Sequence, residues 1–160
     1  MMAEDLMELD EDTQKDKYLT FFIKEEIYGI DIRLVTEIIG IQPITEVPEV
    51  PDYVKGIINL RGRIIPVMDM RLRFKKDFLE YTDRTCVVVI EACDMALGLI
   101  VDAVSEVLTI AAAEIVPPPE MKSAQNRYIR AIGKTGSGVT LLLDCEKLLT
   151  DKDEAMLLNL

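Results

Sequence analysis

Histidine and tryptophan are both missing from the 160 residues, and aromatic side chains make up only 6% of the chain. Without an imidazole there is no His general base, no His-containing zinc site and no phosphorelay histidine, which removes the commonest acid–base catalyst from any enzymatic assignment. Without Trp, and with few other rings, there is little stacking surface for bases or sugars, which speaks against an oligonucleotide- or oligosaccharide-binding barrel. No constellation of paired carboxylates supports a hydrolase either. Cysteine is sparse: Cys86, Cys93 and Cys145 form no C-x-x-C pair and their number is odd, so reduced, packed thiols in a cytosol are expected. No apolar run approaches the roughly 20 residues of a membrane span, since Met95 to Val101 and Ala111 to Ala113 with their flanks are broken by Asp102, Glu106 and Glu114. The acid-rich N-terminus, with no apolar core region, is the reverse of a secretory signal. The sequence therefore predicts a cytoplasmic protein with no cofactor, no metal and no catalytic residue.

Acid is what the chain has in excess. Its net charge of −11 opposes binding to nucleic acid and to anionic lipid, both of which attract Lys and Arg. Residues 1–17 sum to −5, 18–54 to −5, 55–84 to +4, 85–150 to −3 and 151–160 to −2. One basic segment in an acidic chain reads either as a surface for an acidic protein partner or as a solvated face. Apolar residues make up 49%, enough for a core.

Residues 1–17 are predicted to form a flexible acidic N-terminus. Beyond them, short β-type runs recur at Tyr18–Lys24, Ile27–Ile30, Ile57–Leu60, Arg63–Met68, Thr85–Glu91, Met95–Val101, Tyr128–Ile132 and Val139–Leu143. Many short strands imply a sandwich or barrel. Helical spacing suggests short helices at Ile32–Ile39, Met70–Phe74, part of Val101–Leu108 and Cys145–Leu149, and a tail or helix over 151–160. A shift of 69 residues aligns Gly29-Ile30 with Gly98-Leu99, Val35–Ile39 with Val104–Leu108, Ile41 with Ile110, and Val47-Pro48 with Val116-Pro117. A shift of 75 then aligns Ile64–Asp69 with Val139–Asp144. This internal repeat predicts two similar β-barrel subdomains, 18–83 and 84–150, each of about five strands and too small to bury much alone, so their cores must lean on each other. Pro66, which donates no ladder hydrogen bond, is expected at an edge or bulge.

The segment from Lys55 to Phe74 reads as strand, turn, strand and short helix, with the turn at Asn59-Leu60-Arg61-Gly62. Gly62 can take positive φ and Asn59 can bond the backbone locally, leaving Arg61 displayed for a carboxylate on a neighbour or a partner, or merely solvated. Asp69 and Asp144 match in the repeat and each precedes a short helix, as N-caps do. Gly133-Lys-Thr-Gly-Ser-Gly138 lacks the order of a phosphate loop and reads as a hairpin turn.

Tyr28-Gly-Ile-Asp31, Val35-x-Glu37-Ile38, the run from Val54 through Asn59-Leu-Arg-Gly62 to Pro66-Val67 with Asp69, and Leu97–Asp102 with Val104 together resemble the CheW family over residues 18–150. The resemblance implies a mainly β fold of two five-stranded barrels of the Src-homology-3 type with a shared core. It also implies an adaptor that is not an enzyme, binding the cytoplasmic hairpin tip of a chemoreceptor with one surface and the regulatory domain of a CheA-type histidine kinase with another. On this resemblance the receptor site is a groove between subdomains to which Val35, Glu37, Ile39, Arg61 and Val87 contribute, with Glu37 and Arg61 forming or rearranging an ion pair. From the residues alone, Glu37 is as well placed on the solvated face of a helix holding Ile32, Val35 and Ile39. The kinase surface maps to Ile44, Val47, Val116, Pro118 and Met121, around the rigid triplet Pro117-Pro118-Pro119. The protein would be cytoplasmic and recruited to membrane-associated receptor arrays. A module of a non-flagellar pathway, or one detached from a larger kinase or receiver-bearing adaptor, is the alternative; the initiating methionine and terminal helix are expected to disfavour only the detached module.

Overall fold

Near-continuous apolar, β-branched runs drive the central segments of this backbone into strands whose alternate side chains face a different core on each side. In the run from Cys86 to Ala92, Val87 and Val89 point into one cluster while Val88 and Ile90 point into another, and all four are buried. The computed structural model describes residues 14–119, 127–136, 138–149 and 151–158. The strands are β1 (Lys17–Ile23), β2 (Glu26–Asp31), β3 (Val35–Gly40), β4 (Val54–Leu60), β5 (Arg63–Asp69), β6 (Cys86–Ala92), β7 (Met95–Val101), β8 (Ala103–Thr109), β9 (Ile115–Val116), β10 (Ile129–Thr135) and β11 (Gly138–Leu143). Among the described residues the named helical elements are short turns at Ile32–Leu34, Met70–Arg73, Ala112–Glu114 and Cys145–Lys147, and a terminal helix, Asp151–Leu158. Asp69 and Asp144 cap their turns as expected, Asp69 accepting from the Leu72 N–H and Asp144 from the Glu146 N–H, each at 3.2 Å.

Two segments expected as helices are strands. Ile32–Leu34 is a single turn capped by Asp31, and from Val35 onward exposure alternates residue by residue through β3. Val-Thr-Glu-Ile-Ile carries apolar residues at a spacing that fits a helix, but its β-branched side chains favour the pleated conformation. The equivalent β8 was misread for the same reason.

The strands form two sheets, β8-β1-β2-β11-β10-β9 and β3-β6-β7-β5-β4. The repeat maps strand onto strand: β6, β7 and β8 repeat β1, β2 and β3, while β10 and β11 repeat β4 and β5. The sheets do not divide at residue 84, however. Each takes strands from both sides of it, joined through a parallel pairing, Val67 to Gly98 between β5 and β7 and Leu142 to Gly29 between β11 and β2. Each sheet rolls up through the chain leaving its first strand. Beyond β3 the backbone of Thr45 exchanges two hydrogen bonds of 2.9 Å with Ile57 of β4, and beyond β8 the short β9 pairs with β10. Ile57 thereby turns its polar backbone away from its partner Pro66 in β5. Pairing of β5 with β7 begins only at Val67, so Pro66 sits in an interior strand, rather than at an edge or a bulge, without breaking a ladder bond.

Three clusters fill the molecule. One lies inside the β3–β7 sheet around Ile58, Ile65, Val67, Val87 and Val89, and one inside the other sheet around Tyr18, Ile110, Ala131 and Leu142. The largest takes residues from both sheets, including Phe21, Ile30, Met68, Ile90, Leu97 and Leu99, and is the shared core. At its margin Arg73, 6% exposed, lies between the rings of Tyr53 and Tyr128, 4.3 and 4.6 Å from their centroids, and donates from Nε to the Leu148 carbonyl at 2.5 Å. Tyr53 and Tyr128 are equivalent positions of the repeat, as are Arg73 and Leu148, so the relation between the halves passes through this point.

Gly98 is where the parallel pairing is tightest: an added Cβ would lie 2.8 Å from Val67 Cγ1 and from Val87 Cγ1. Gly98→Ala is expected to lower stability by about 1–3 kcal/mol in denaturant titrations, whereas Gly40→Ala, with nothing within 4 Å, should leave the midpoint nearly unchanged.

Candidate interaction site

The β4–β5 hairpin ends in a two-residue turn, Arg61-Gly62, at φ of 53° and 86°. Two successive positive φ values match the twist of the flanking strands, which is why such turns favour Gly and Asn. Asn59 Oδ1 accepts from the Gly62 N–H at 2.8 Å and closes the tip. Gly62 is thus conformationally required. Arg61 occupies a left-handed position that disfavours a side chain, as do Lys24, Cys93 and Asp94 in other hairpin turns, so its use is read from its contacts rather than from its backbone.

Arg61 Nη2 donates to Glu37 Oε2, forming an ion pair between side chains that are 71% and 30% exposed. Glu37 lies on β3 and Arg61 at the tip of β4–β5, the opposite margins of their sheet, so the pair spans the seam where the sheet rolls up. A pair this exposed contributes only about 0–1 kcal/mol to stability, and both groups are free to exchange partners. A second pair stands beside it, Arg63 Nη2 to Glu91 Oε1 at 3.1 Å, with exposures of 60% and 49%. Arg63 faces Leu60 at the base of the turn, and Glu91 lies on β6 two residues beyond Val89, the partner of Glu37.

The remaining predicted receptor residues fare differently. Val35 and Ile39 flank Glu37 on β3 and are half-buried, packed against the shared core and the barrel core respectively. Val87 is fully buried inside the barrel and offers no surface, so it supports the site from beneath. Of the predicted kinase residues, Ile44 and Val47 are half-buried beside the β3–β7 sheet, while Val116 in β9 and Pro118 are half-buried on the other. Ile44 and Val116 occupy nearly equivalent places, next to or at the residues that pair with Ile57 and Ile132. Met121 lies outside the described residues.

The basic stretch 55–84 is largely neutralised from within. Arg61 pairs with Glu37, Arg63 with Glu91, and Lys76 with Glu26 at 3.3 Å, while Arg71 grips Asp102 through two hydrogen bonds of 2.8 and 2.6 Å. Nothing here is arranged for covalent chemistry. Burial pushes the Cys93 and Cys145 thiols up to about 12, the opposite of an activated nucleophile. Among the described residues no cluster of acidic and Cys side chains could hold a metal ion, and no helix is long and apolar enough to cross a membrane.

Sequence inspection did not single out Arg63 and Glu91, although the repeat held the signal. The counterparts of Arg61 and Arg63 are Gly136 and Gly138, and the counterpart of Glu91 is Phe22. Only Glu37 has an acidic counterpart, Glu106. The second copy builds the same barrel without these charges.

Two tests follow from the local chemistry. Arg61→Gly relieves a left-handed conformation costing roughly 1–2 kcal/mol at the loss of a weak ion pair, so the thermal midpoint should hold or rise, whereas Gly62→Val should lower it. For the thiols, protons stay on Cys93 and Cys145 longer in the folded state than in the unfolded one, whose thiols titrate near 9.0. Between about 9 and 12 the unfolded state therefore binds fewer protons, and stability should fall as pH rises through that window, read as a declining urea midpoint.

The CheW-like domain profile matches residues 17–153. The chain is 36% identical over 149 residues to the chemotaxis protein CheW of Klebsiella aerogenes, covering 92% of this chain and 90% of that one. It is 34% identical over 147 residues to the chemotaxis protein CheW of Treponema pallidum, covering 89% and 86%. The crystal structure of the scaffolding protein TtCheW from Thermoanaerobacter tengcongensis superposes with a TM-score of 0.81 at 35% identity, covering 86% of this chain and 94% of that one.

Proposed function

Because this chain belongs to the CheW family, and is therefore a chemotaxis scaffold rather than an enzyme, we propose that it couples the cytoplasmic tips of chemoreceptors to the regulatory domain of a CheA-type histidine kinase. The observation that carries this reading is the ion pair of Arg61 with Glu37. It is exposed, it sits on a turn whose backbone disfavours arginine, and it is absent from the repeat copy that folds the same way. A pair that is exposed and worth little to the fold is suited to exchange with a partner's charges. Val35 and Ile39 beside it supply apolar contact, and Val87 holds β6 in place beneath them. Ile44, Val47, Val116 and Pro118, at the ends of the two barrels, are the candidate kinase contacts, and Met121 joins them by its position in sequence.

The mechanism is positional. Two moderate contacts on one rigid body place receptor and kinase together, and linkage requires that whatever one partner does to the affinity of the other is returned in equal measure. Because the barrels share a core, a shift at one face is felt at the other. Recruitment to receptor arrays follows from occupation of the receptor face.

A pull-down of the purified chain with a CheA-type regulatory domain, and separately with a receptor signalling-tip fragment, tests this. Both should be retained, and Arg61→Glu should lose the receptor while keeping the kinase domain. Retention of neither by the unmodified chain would refute the coupling role, and loss of both by the variant would make Arg61 structural.

A further inference from the structure

We propose that Arg63 and Glu91 form the second half of the receptor-docking face, and that the four charges Arg61, Glu37, Arg63 and Glu91 together select a partner helix carrying both an acidic and a basic residue. This rests on the coupling role proposed above and extends it to residues that neither the sequence motif nor the turn geometry assigns.

Three observations support it. First, the two ion pairs occupy one end of one barrel: Arg61 and Arg63 flank Gly62 on the same hairpin, and Glu37 and Glu91 lie on adjacent strands β3 and β6. Second, all four charges are accessible, the arginines at 71% and 60% and the acids at 30% and 49%, so none is committed to the core. Third, the repeat acts as an internal control. Its copy places Gly136, Gly138 and Phe22 where Arg61, Arg63 and Glu91 stand, and it forms the same five-strand arrangement. Two ion pairs that the fold does not need, found together in one copy only, mark a surface under a different demand.

The electrostatics define the partner. Two arginines and two carboxylates sum to zero, so this face neither steers nor repels by net charge, although the chain carries −11. It discriminates by pattern: a partner carboxylate must meet an arginine and a partner Lys or Arg must meet a carboxylate, and a partner of a single sign leaves one pair opposed. Arg63 also lines a recess of about 210 Å³ with Ile64, Pro66, Met95 and Leu158, whose surface is about equally polar and apolar, so a partner segment reaching it from the charges would present both kinds of side chain.

The test is equilibrium binding of a receptor signalling-tip fragment to the full chain, with the kinase regulatory domain as control ligand and Arg61→Glu as reference. Arg63→Glu and Glu91→Arg should each raise the receptor Kd about tenfold and leave kinase-domain binding unchanged. The swap Arg63→Glu with Glu91→Arg restores an internal pair but inverts its pattern, and should bind the receptor as weakly as the single variants. The neutral double variant Arg63→Gln, Glu91→Gln, which avoids like-charge repulsion, should also be weakened. Wild-type affinity in the swap or in the neutral variant would overturn the proposal and make the pair an internal brace. If Arg61→Glu alone weakens binding, the coupling role stands and this extension fails. If Arg61→Glu binds normally or the unmodified chain does not bind, the underlying site assignment fails with it.

Discussion

Two short parallel strand pairings hold the molecule together, β5 on β7 and β2 on β11. Each joins a strand from one half of the repeat to a strand from the other, so neither sheet is complete without both halves. The large shared core follows, because β6 and β7 turn one face into their own barrel and the other toward the strands β1 and β2 that complete the opposite sheet. Gly29 and Gly98 sit at the centres of the two pairings, where an added Cβ would come within 3.0 and 2.8 Å of neighbouring side chains. At the meeting point Arg73 is held between equivalent tyrosines. A protein built this way is stiff between its ends, which suits a scaffold.

The proposed interaction site lies on a part of this frame that neither parallel pairing uses. The seam between β3 and the β4–β5 tip is not needed for either parallel pairing. Its counterpart in the other barrel is closed by a Gly-containing turn with no arginine. The repeat gives two seams, and one of them carries the two arginine–carboxylate pairs. The strain of a left-handed arginine and the weakness of exposed ion pairs are both tolerable there, because the buried cores supply the stability.

Much of this was legible in the sequence. The repeat emerged from glycines, aspartates and β-branched positions that the fold constrains tightly: Gly98 by contact, and Asp69 and Asp144 by capping. The display of Arg61 followed from Asn59 and Gly62. The exchange of strands between sheets was not legible, because which strand pairs with which is a long-range choice that leaves no local pattern. The helical misreading of β3 and β8 arose because Val-x-x-Ile-Ile satisfies both periodicities, and membership of a sheet decides between them. Val87 illustrates a third limit: a family resemblance marks it for the receptor site, but only the fold shows that it is buried inside the barrel and offers no surface.

Strand exchange also orders events during synthesis. The hairpin β1–β2 leaves the ribosome first, yet its sheet neighbours β8 and β11 are encoded from residue 103 to residue 143. That hairpin keeps one edge unpaired until β8 is made and the other until β11 is made, and Leu19, Phe21 and Ile23 gain their core partners on β5, β6 and β7 only as those strands follow.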